Sequence, residues 1–256
     1  MDRLIYTAMT GASHILERQS ALSSNLANVN TTAYKGGINA FKAIPLNGEG
    51  AQTRTFVTNS TVGYDFTPGA LQRTGRSLDV GLNGKGWIAV LLPDGSEAYT
   101  RDGNLQVSAN GILQTHSGYP VIDDTGQPGP PGQIAIPEDS QVTIGSDGTI
   151  STVPAGVTSS TPSQVTTVGR LKLVNPPESQ LVRGQDGLFR TQGGKPAPPD
   201  SNVTVTPNSL EGSNVNAIGA MVDMISIARQ FEMQMQMLKT AADDSQQASQ
   251  LLNITG

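Results

Sequence analysis

Hydrophobic side chains recur at two different periods along this chain, and the change of period divides it. From Ile5 the stripe runs through Ala8, Ala12, Ile15, Gln19, Leu22, Leu26 and Val29 in steps of three and four. That is the a/d spacing of a coiled-coil seam, and it predicts an axial helix over residues 1–35. Only Gln19 is polar, while Arg3, Glu17 and Arg18 fall off the stripe onto a solvated face. The same stepping returns through Met221, Met224, Ala228, Phe231, Met235, Leu238, Ala242, Ser245, Ser249 and Leu252. Ile218, Val222 and Ile225 widen it, and Asn214 or Asn216 is available as an N-cap. Residues 206–256 are therefore expected to form a second axial helix that pairs with the first.

Between these ends the period falls to two. Short candidates such as WIAVLL, EAYT, NLQVS, QVTI and GRLKLV alternate with turn dipeptides. These turns are Asn83-Gly84, Asp94-Gly95, Asp102-Gly103, Asn110-Gly111, Ser117-Gly118 and Asp147-Gly148. The pattern predicts an antiparallel all-β domain over residues 81–205. Residues 36–80 are Thr-rich and low in apolar density, and read as an extended linker arm. The expected fold is mixed: a discontinuous α-helical coiled-coil domain from both termini, an extended linker and a central all-β domain.

The N-terminal helix must stop inside SSNLANVNTTAYKGG. Asn25, Asn28 and Asn30 crowd its end, and asparagine side chains satisfy orphan backbone groups at helix boundaries. Gly36 and Gly37 then allow the chain a sharp departure. Two helices buried on one side only recover little of the entropy lost in ordering them. Their stripes therefore call for further neighbours, of which other copies of the chain are the simplest. On this reading Ile5, Ala8, Ala12, Ile15, Leu22, Leu26 and Val29, with Met221, Met224, Ala228, Phe231, Met235, Leu238 and Leu252, are subunit-packing residues. Four of the seven methionines lie on or beside the second stripe, where an adaptable side chain suits either ordinary core filling or a contact with non-identical neighbours.

Composition narrows the chemistry. The 256 residues carry a net charge of −5 and no Lys/Arg cluster, which argues against nucleic acid as a partner. No run approaches the ~20 apolar residues of a membrane span, and the first residues lack the basic and apolar regions of a cleaved secretory signal. The absence of cysteine removes disulfides and thiolate chemistry. With 29 glycines and 16 prolines the chain is rich in turns. His14 and His116 are the two histidines, and neither belongs to a zinc or hydrolase motif. GLNGKGW, Gly81 to Trp87, lacks dinucleotide-loop spacing and leads into a strand. No cofactor, metal or catalytic residue is expected.

Three blocks carry a resemblance. SSNLANVNTTAYKGG is similar to the N-terminal signature of bacterial flagellar rod and hook proteins, departing at Ala33 from a usual glycine, the residue a left-handed backbone favours. LDVGLNGKGWIAVLLPDGSEAYTRDGNLQVSANGILQTHSGYPVI resembles the family's central block, including its Y-T-R-x-G element. LEGSNVNAIGAMVDMISIARQFEMQMQMLKTAADDSQQASQLLN resembles its C-terminal helix. The opening residues, AFKAIPL and the chain length are most like the proximal-rod members, with distal-rod or hook members the alternative. The resemblance implies a non-enzymatic subunit exported by the flagellar type III apparatus without signal cleavage. Its partners would be copies of itself and other rod proteins, packed by their terminal helices into a periplasmic rod of the basal body that transmits torque. Two other classes remain to be tested against the structure. One is a periplasmic cell-wall hydrolase using Asp94, Glu97, Asp102 or Asp123. The other is an adhesin or binding module that works through its β face.

Overall fold

A computed structural model describes residues 2–45, 55–124, 132–154 and 165–253; the side chains of 2–8, 39–62, 245, 248, 249 and 251–253 lie outside that description. The chain divides into two units. Unit 1 comprises residues 1–29, 35–65 and 215–256, and unit 2 comprises 30–34 and 66–214.

Unit 1 holds both helices, α1 (Asp2–Ala27) and α2 (Ala217–Asn253), and two strands, β1 (Gly37–Pro45) and β2 (Thr55–Tyr64). Asn216 caps α2, its Oδ1 accepting the Gly219 N–H at 3.1 Å. The strands pair antiparallel from Gly37 opposite Tyr64 to Pro45 opposite Thr55, with a bulge between Ala40 and Phe41. The pair packs on α1. This corrects the expected fold class. Instead of a coiled-coil domain followed by an extended linker, the structure has two helices in one unit with a β pair, and strands in several sheets dominate the chain. The arm was legible only as low apolar density. Its Thr- and Val-rich composition is also what β pairing favours. The connection between β1 and β2 is too long to give a two-residue turn signal.

Among its described residues, unit 2 is strand and turn with one 3-10 turn at Glu178–Gln180. Its strands are β3 (Leu71–Arg73), β4 (Val80–Asn83), β5 (Trp87–Leu91), β6 (Glu97–Thr100), β7 (Leu105–Val107), β8 (Leu113–Thr115), β9 (Ser140–Ile144), β10 (Thr149–Pro154), β11 (Thr166–Arg170), β12 (Leu173–Val174), β13 (Leu181–Arg183), β14 (Phe189–Thr191), β15 (Thr204–Pro207) and β16 (Ser209–Glu211). A five-stranded sheet runs β12-β5-β6-β14-β13, and a three-stranded sheet runs β11-β10-β9. The pairs β15-β4, β16-β3 and β7-β8 complete it, all antiparallel. Val80, Ile88, Leu105, Leu113, Ile150 and Leu171 form the centre of one buried cluster. β5 is buried along nearly its whole length, as a central strand should be.

Five of the six turn glycines read from the sequence have positive φ: Gly84, Gly95, Gly111, Gly118 and Gly148. Gly103 is the exception and is required for another reason. A Cβ there would lie 1.8 Å from the Val80 carbonyl oxygen, so β4 can approach only a glycine.

Ala33 adopts φ +54° despite its Cβ, the left-handed conformation that its side chain disfavours by about 1–2 kcal/mol. Its N–H donates to the Glu211 carbonyl at 2.8 Å, which holds it there. Ala33→Gly relieves that strain at some cost in unfolded-chain entropy. The expected net gain is about 1 kcal/mol, read as a rise of about 2–4 °C in Tm by calorimetry.

Candidate functional site

On α2, Ala220 and Ile227 are buried, and Met224, Phe231, Gln234, Leu238 and Ala241 are half-buried. These positions step by four and three throughout. The adjacent positions Met221, Ala228, Met235 and Ala242 are exposed. Two heptad stripes therefore share Met224, Phe231 and Leu238. They differ in whether the alternate position is 220, 227, 234 and 241 or the residue after each. Spacing alone does not choose between them. The inward stripe carries Ala220, Ile227, Gln234 and Ala241. Gly11 of α1 faces Gln234 so closely that a Cβ there would lie 3.2 Å from its amide nitrogen. Gly11 makes room for Gln234 on the inward side, and Met221 and Met235 lie on the exposed side.

On α1, Ala12 is buried and Ile15, Gln19, Leu22 and Leu26 are half-buried, as is Val29 in the turn just beyond it. The side chains of Ile5, Ala8 and Leu252 lie outside the described residues. The outward face of α2 is apolar in its first turns, where Ile218 is 77% exposed, Val222 60% and Ile225 57%, with Met221 beside them; further along, exposed Met233, Met235 and Met237 are interspersed with Arg229 and Glu232. Met9 and Leu16 are similarly open on α1. Apolar surface of this kind marks an interaction site more often than chance.

The end of α1 is fixed by Asn25. Its Nδ2 donates to the Gly37 carbonyl and its Oδ1 accepts the Gly37 N–H, both at 2.9 Å. The side chain thus mimics a neighbouring strand and ties the helix to the first residue of β1. Asn28 closes the last turn, its Nδ2 donating to the Ser24 carbonyl at 2.9 Å. Gly36 is buried and its carbonyl accepts the Asp65 N–H at 2.9 Å, at the base of the β1–β2 pair. Asn30 sits exposed in the turn. Asn25→Ala removes both bonds to Gly37 and leaves partly buried backbone groups unpaired. It is expected to cost about 2 kcal/mol, seen as a lower urea midpoint for the helical circular dichroism signal.

The four acids considered for hydrolysis serve four separate local structures. Asp94 accepts the Ser96 hydroxyl and N–H, which together hold its carboxyl below the usual range. Glu97 pairs with Lys172 at 2.7 Å. Burial pushes the Asp102 carboxyl up, against the pull of the Asn104 N–H and the Thr32 hydroxyl. Asp123 accepts the Arg170 N–H at 2.8 Å. His14 lies 3.3 Å from Glu17 on the surface of α1. A cleft of about 690 Å³ beside β7 and β9 includes Glu138 and Asp139 but no histidine, lysine or arginine among its lining residues. Among the described residues no group of three His, Asp or Glu is placed to hold a metal, and no helix is long and apolar enough to cross a membrane.

Sequence reasoning gave no role to Arg101 of Y-T-R-x-G or to Glu211. In the structure they are a buried ion pair at 2.8 Å, with side chains 2% and 0% exposed. The available signal was a charged residue directly following the strand candidate EAYT.

Three family models match the chain. One described as flagella basal body rod protein covers residues 5–35. The flagellar hook protein FlgE/F/G D1 domain covers 81–152, and the flagellar basal body rod FlgEFG protein C-terminal model covers 206–251. The chain is 47% identical to the flagellar basal-body rod protein FlgF of Escherichia coli (strain K12), over all of both chains. It is 44% identical to FlgF of Salmonella typhimurium (strain LT2), again over all of both. FlgG of Agrobacterium fabrum (strain C58) is 31% identical, with 93% of this chain and 95% of the relative covered.

Proposed function

This chain belongs to the flagellar basal-body rod protein family, and we propose that it is the proximal-rod subunit, polymerising with copies of itself and other rod proteins into the shaft that carries torque to the hook. The observation that carries the reading is the full-length similarity to FlgF, at 47% identity, against 31% to an FlgG of similar coverage. The distal-rod and hook alternatives are correspondingly weaker. The outward apolar face of α2 supports packing through the terminal helices. Of the residues expected to pack between subunits, Met221, Ala228 and Met235 lie on that face, exposed in the single chain.

Ala12, Ile15, Leu22, Leu26, Val29, Met224, Phe231 and Leu238 are wholly or partly buried in the single chain. Their contribution to assembly is to hold the helices that present the outer face. Asn25, Asn28, Asn30, Gly36 and Gly37 turn the chain out of α1. The subunit has no enzymatic role on this reading, which fits acids spent on local structure. Export by the flagellar type III apparatus without a cleaved signal, a periplasmic position in the basal body, and no nucleic-acid partner complete the proposal.

The test is complementation of an Escherichia coli strain lacking FlgF, read in electron micrographs of isolated basal bodies. Restored rods and swimming are expected. Basal bodies that still lack rods, with the chain expressed and exported, would refute the assignment.

A further inference from the structure

The chain passes between the two units after residues 29, 34, 65 and 214. The unit 2 ends of all four connections are therefore 30–34, 66 onward, and the stretch ending at Asn214. The ends at Tyr34, Phe66 and Asn214 lie around one side-chain pair. Arg101 Nε donates to Glu211 Oε2 at 2.8 Å. Its Nη1 donates to the Gly86 carbonyl at 2.7 Å and its Nη2 to the Gly84 carbonyl at 2.8 Å. Glu211 Oε1 accepts the Gly69 N–H at 2.8 Å, and the Glu211 carbonyl accepts the Ala33 N–H at 2.8 Å.

Three residues on, the Asn214 N–H reaches the Tyr34 carbonyl at 3.3 Å, and Asn214 Nδ2 donates to the Thr67 carbonyl at 3.2 Å. Aromatic rings surround the cluster. The Arg101 guanidinium lies 5.8 Å from the Trp87 ring, and Trp87 packs against Phe66 and Phe189.

Without this cluster the connections would rest on weak elements. β3 and β16 are three-residue strands paired to each other, and β3 is exposed along its length. Short ladders with one exposed strand open locally at low free energy. Buried charge is an expensive way to hold them unless every donor and acceptor has a partner. Here the planar fork of an arginine meets a carboxylate and two carbonyls at once, a geometry lysine does not reproduce.

We propose that the Arg101–Glu211 pair is a mechanical clasp. It holds together the unit 2 ends of three of the connections, at Tyr34, Phe66 and Asn214, so force arriving along the chain enters the β core together and does not peel β3 and β16 apart in turn. This rests on the rod reading for its physiological use, and the two are separable by experiment.

Hydrogen exchange on the full chain compares the unsubstituted protein with Arg101→Lys, which keeps a charge near Glu211 but loses the fork. The amides of Ala33, Gly69 and Asn214 are expected to exchange at least tenfold faster, with those of Leu113 and Val121 in the core unchanged. Equal acceleration everywhere, or none, overturns the clasp. Asn214→Ala, a milder change at the same cluster, should show the same local pattern with a smaller factor, and no local change there counts equally against it. In cells, Arg101→Lys should leave rods normal in number and swimming normal in dilute medium, but should lose at least half the swimming speed of the unsubstituted strain in medium of raised viscosity. Full speed under load, or absence of rods altogether, overturns the mechanical role. Failure of the rod reading is distinct, because the unsubstituted chain would then not restore rods at all.

Discussion

Replacing Ile225 with aspartate is expected to abolish entry into the rod while leaving the free chain as stable as before. Ile225 is 57% exposed on the outward face of α2, so the single molecule has little packing to lose there. A surface substitution of this kind stays within about 0.5 kcal/mol. In an assembled wall the same position would be covered. The aspartate then forfeits up to about 1.5–3 kcal/mol of apolar burial and adds the cost of a buried, unpaired charge, several kcal/mol more. Every subunit repeats the loss, and the combined penalty exceeds a hundredfold in each contact.

The readouts are calorimetry of purified protein, with Tm unchanged, and basal bodies without rods in a strain expressing only the variant. Swimming at the unsubstituted rate would show that this face stays open in the assembly. Phe231→Asp and Leu26→Asp test less cleanly, because both side chains are already half-buried within unit 1. They should lower Tm as well as block assembly.

The contrast between Ile225 and Phe231 shows how far the sequence could be read. Helix existence was legible, because stepping by three and four over eight or more positions has one structural meaning. Which stripe faces inward was not. Met224, Phe231 and Leu238 belong to both heptad readings. The decision lies in the small residues of the facing helix, such as Gly11, which one sequence does not pair for the reader. The β1–β2 pair was missed for a related reason. Backbone pairing between Gly37–Pro45 and Thr55–Tyr64 leaves a weak apolar trace. The turns of unit 2 were legible because positive φ requires glycine at Gly84, Gly95 and Gly111. The junction was legible in residue type only. Three asparagines marked the place, but Asn25 alone clamps Gly37, and Asn28 spends its amide within the last turn.

Arg101→Met is the substitution expected to destabilise unit 2 most. It takes the guanidinium away from the fully buried Glu211 carboxylate, and deprives the Gly84 and Gly86 carbonyls of their donor. Breaking one side of a buried pair costs about 3–5 kcal/mol. At about 2–4 °C per kcal/mol for a chain of this size, that lowers Tm by roughly 6–20 °C. The double variant Arg101→Met with Glu211→Leu separates charge from connection. Removing both charges recovers the desolvation penalty, and elsewhere such replacements are neutral or stabilising. Here the Gly69 N–H and two glycine carbonyls stay without their partners, at about 1–3 kcal/mol for each that water cannot reach. The double variant should therefore regain only part of the lost Tm. Full recovery would mean that the backbone ties contribute nothing to stability, and that the pair is held in place by its own attraction alone.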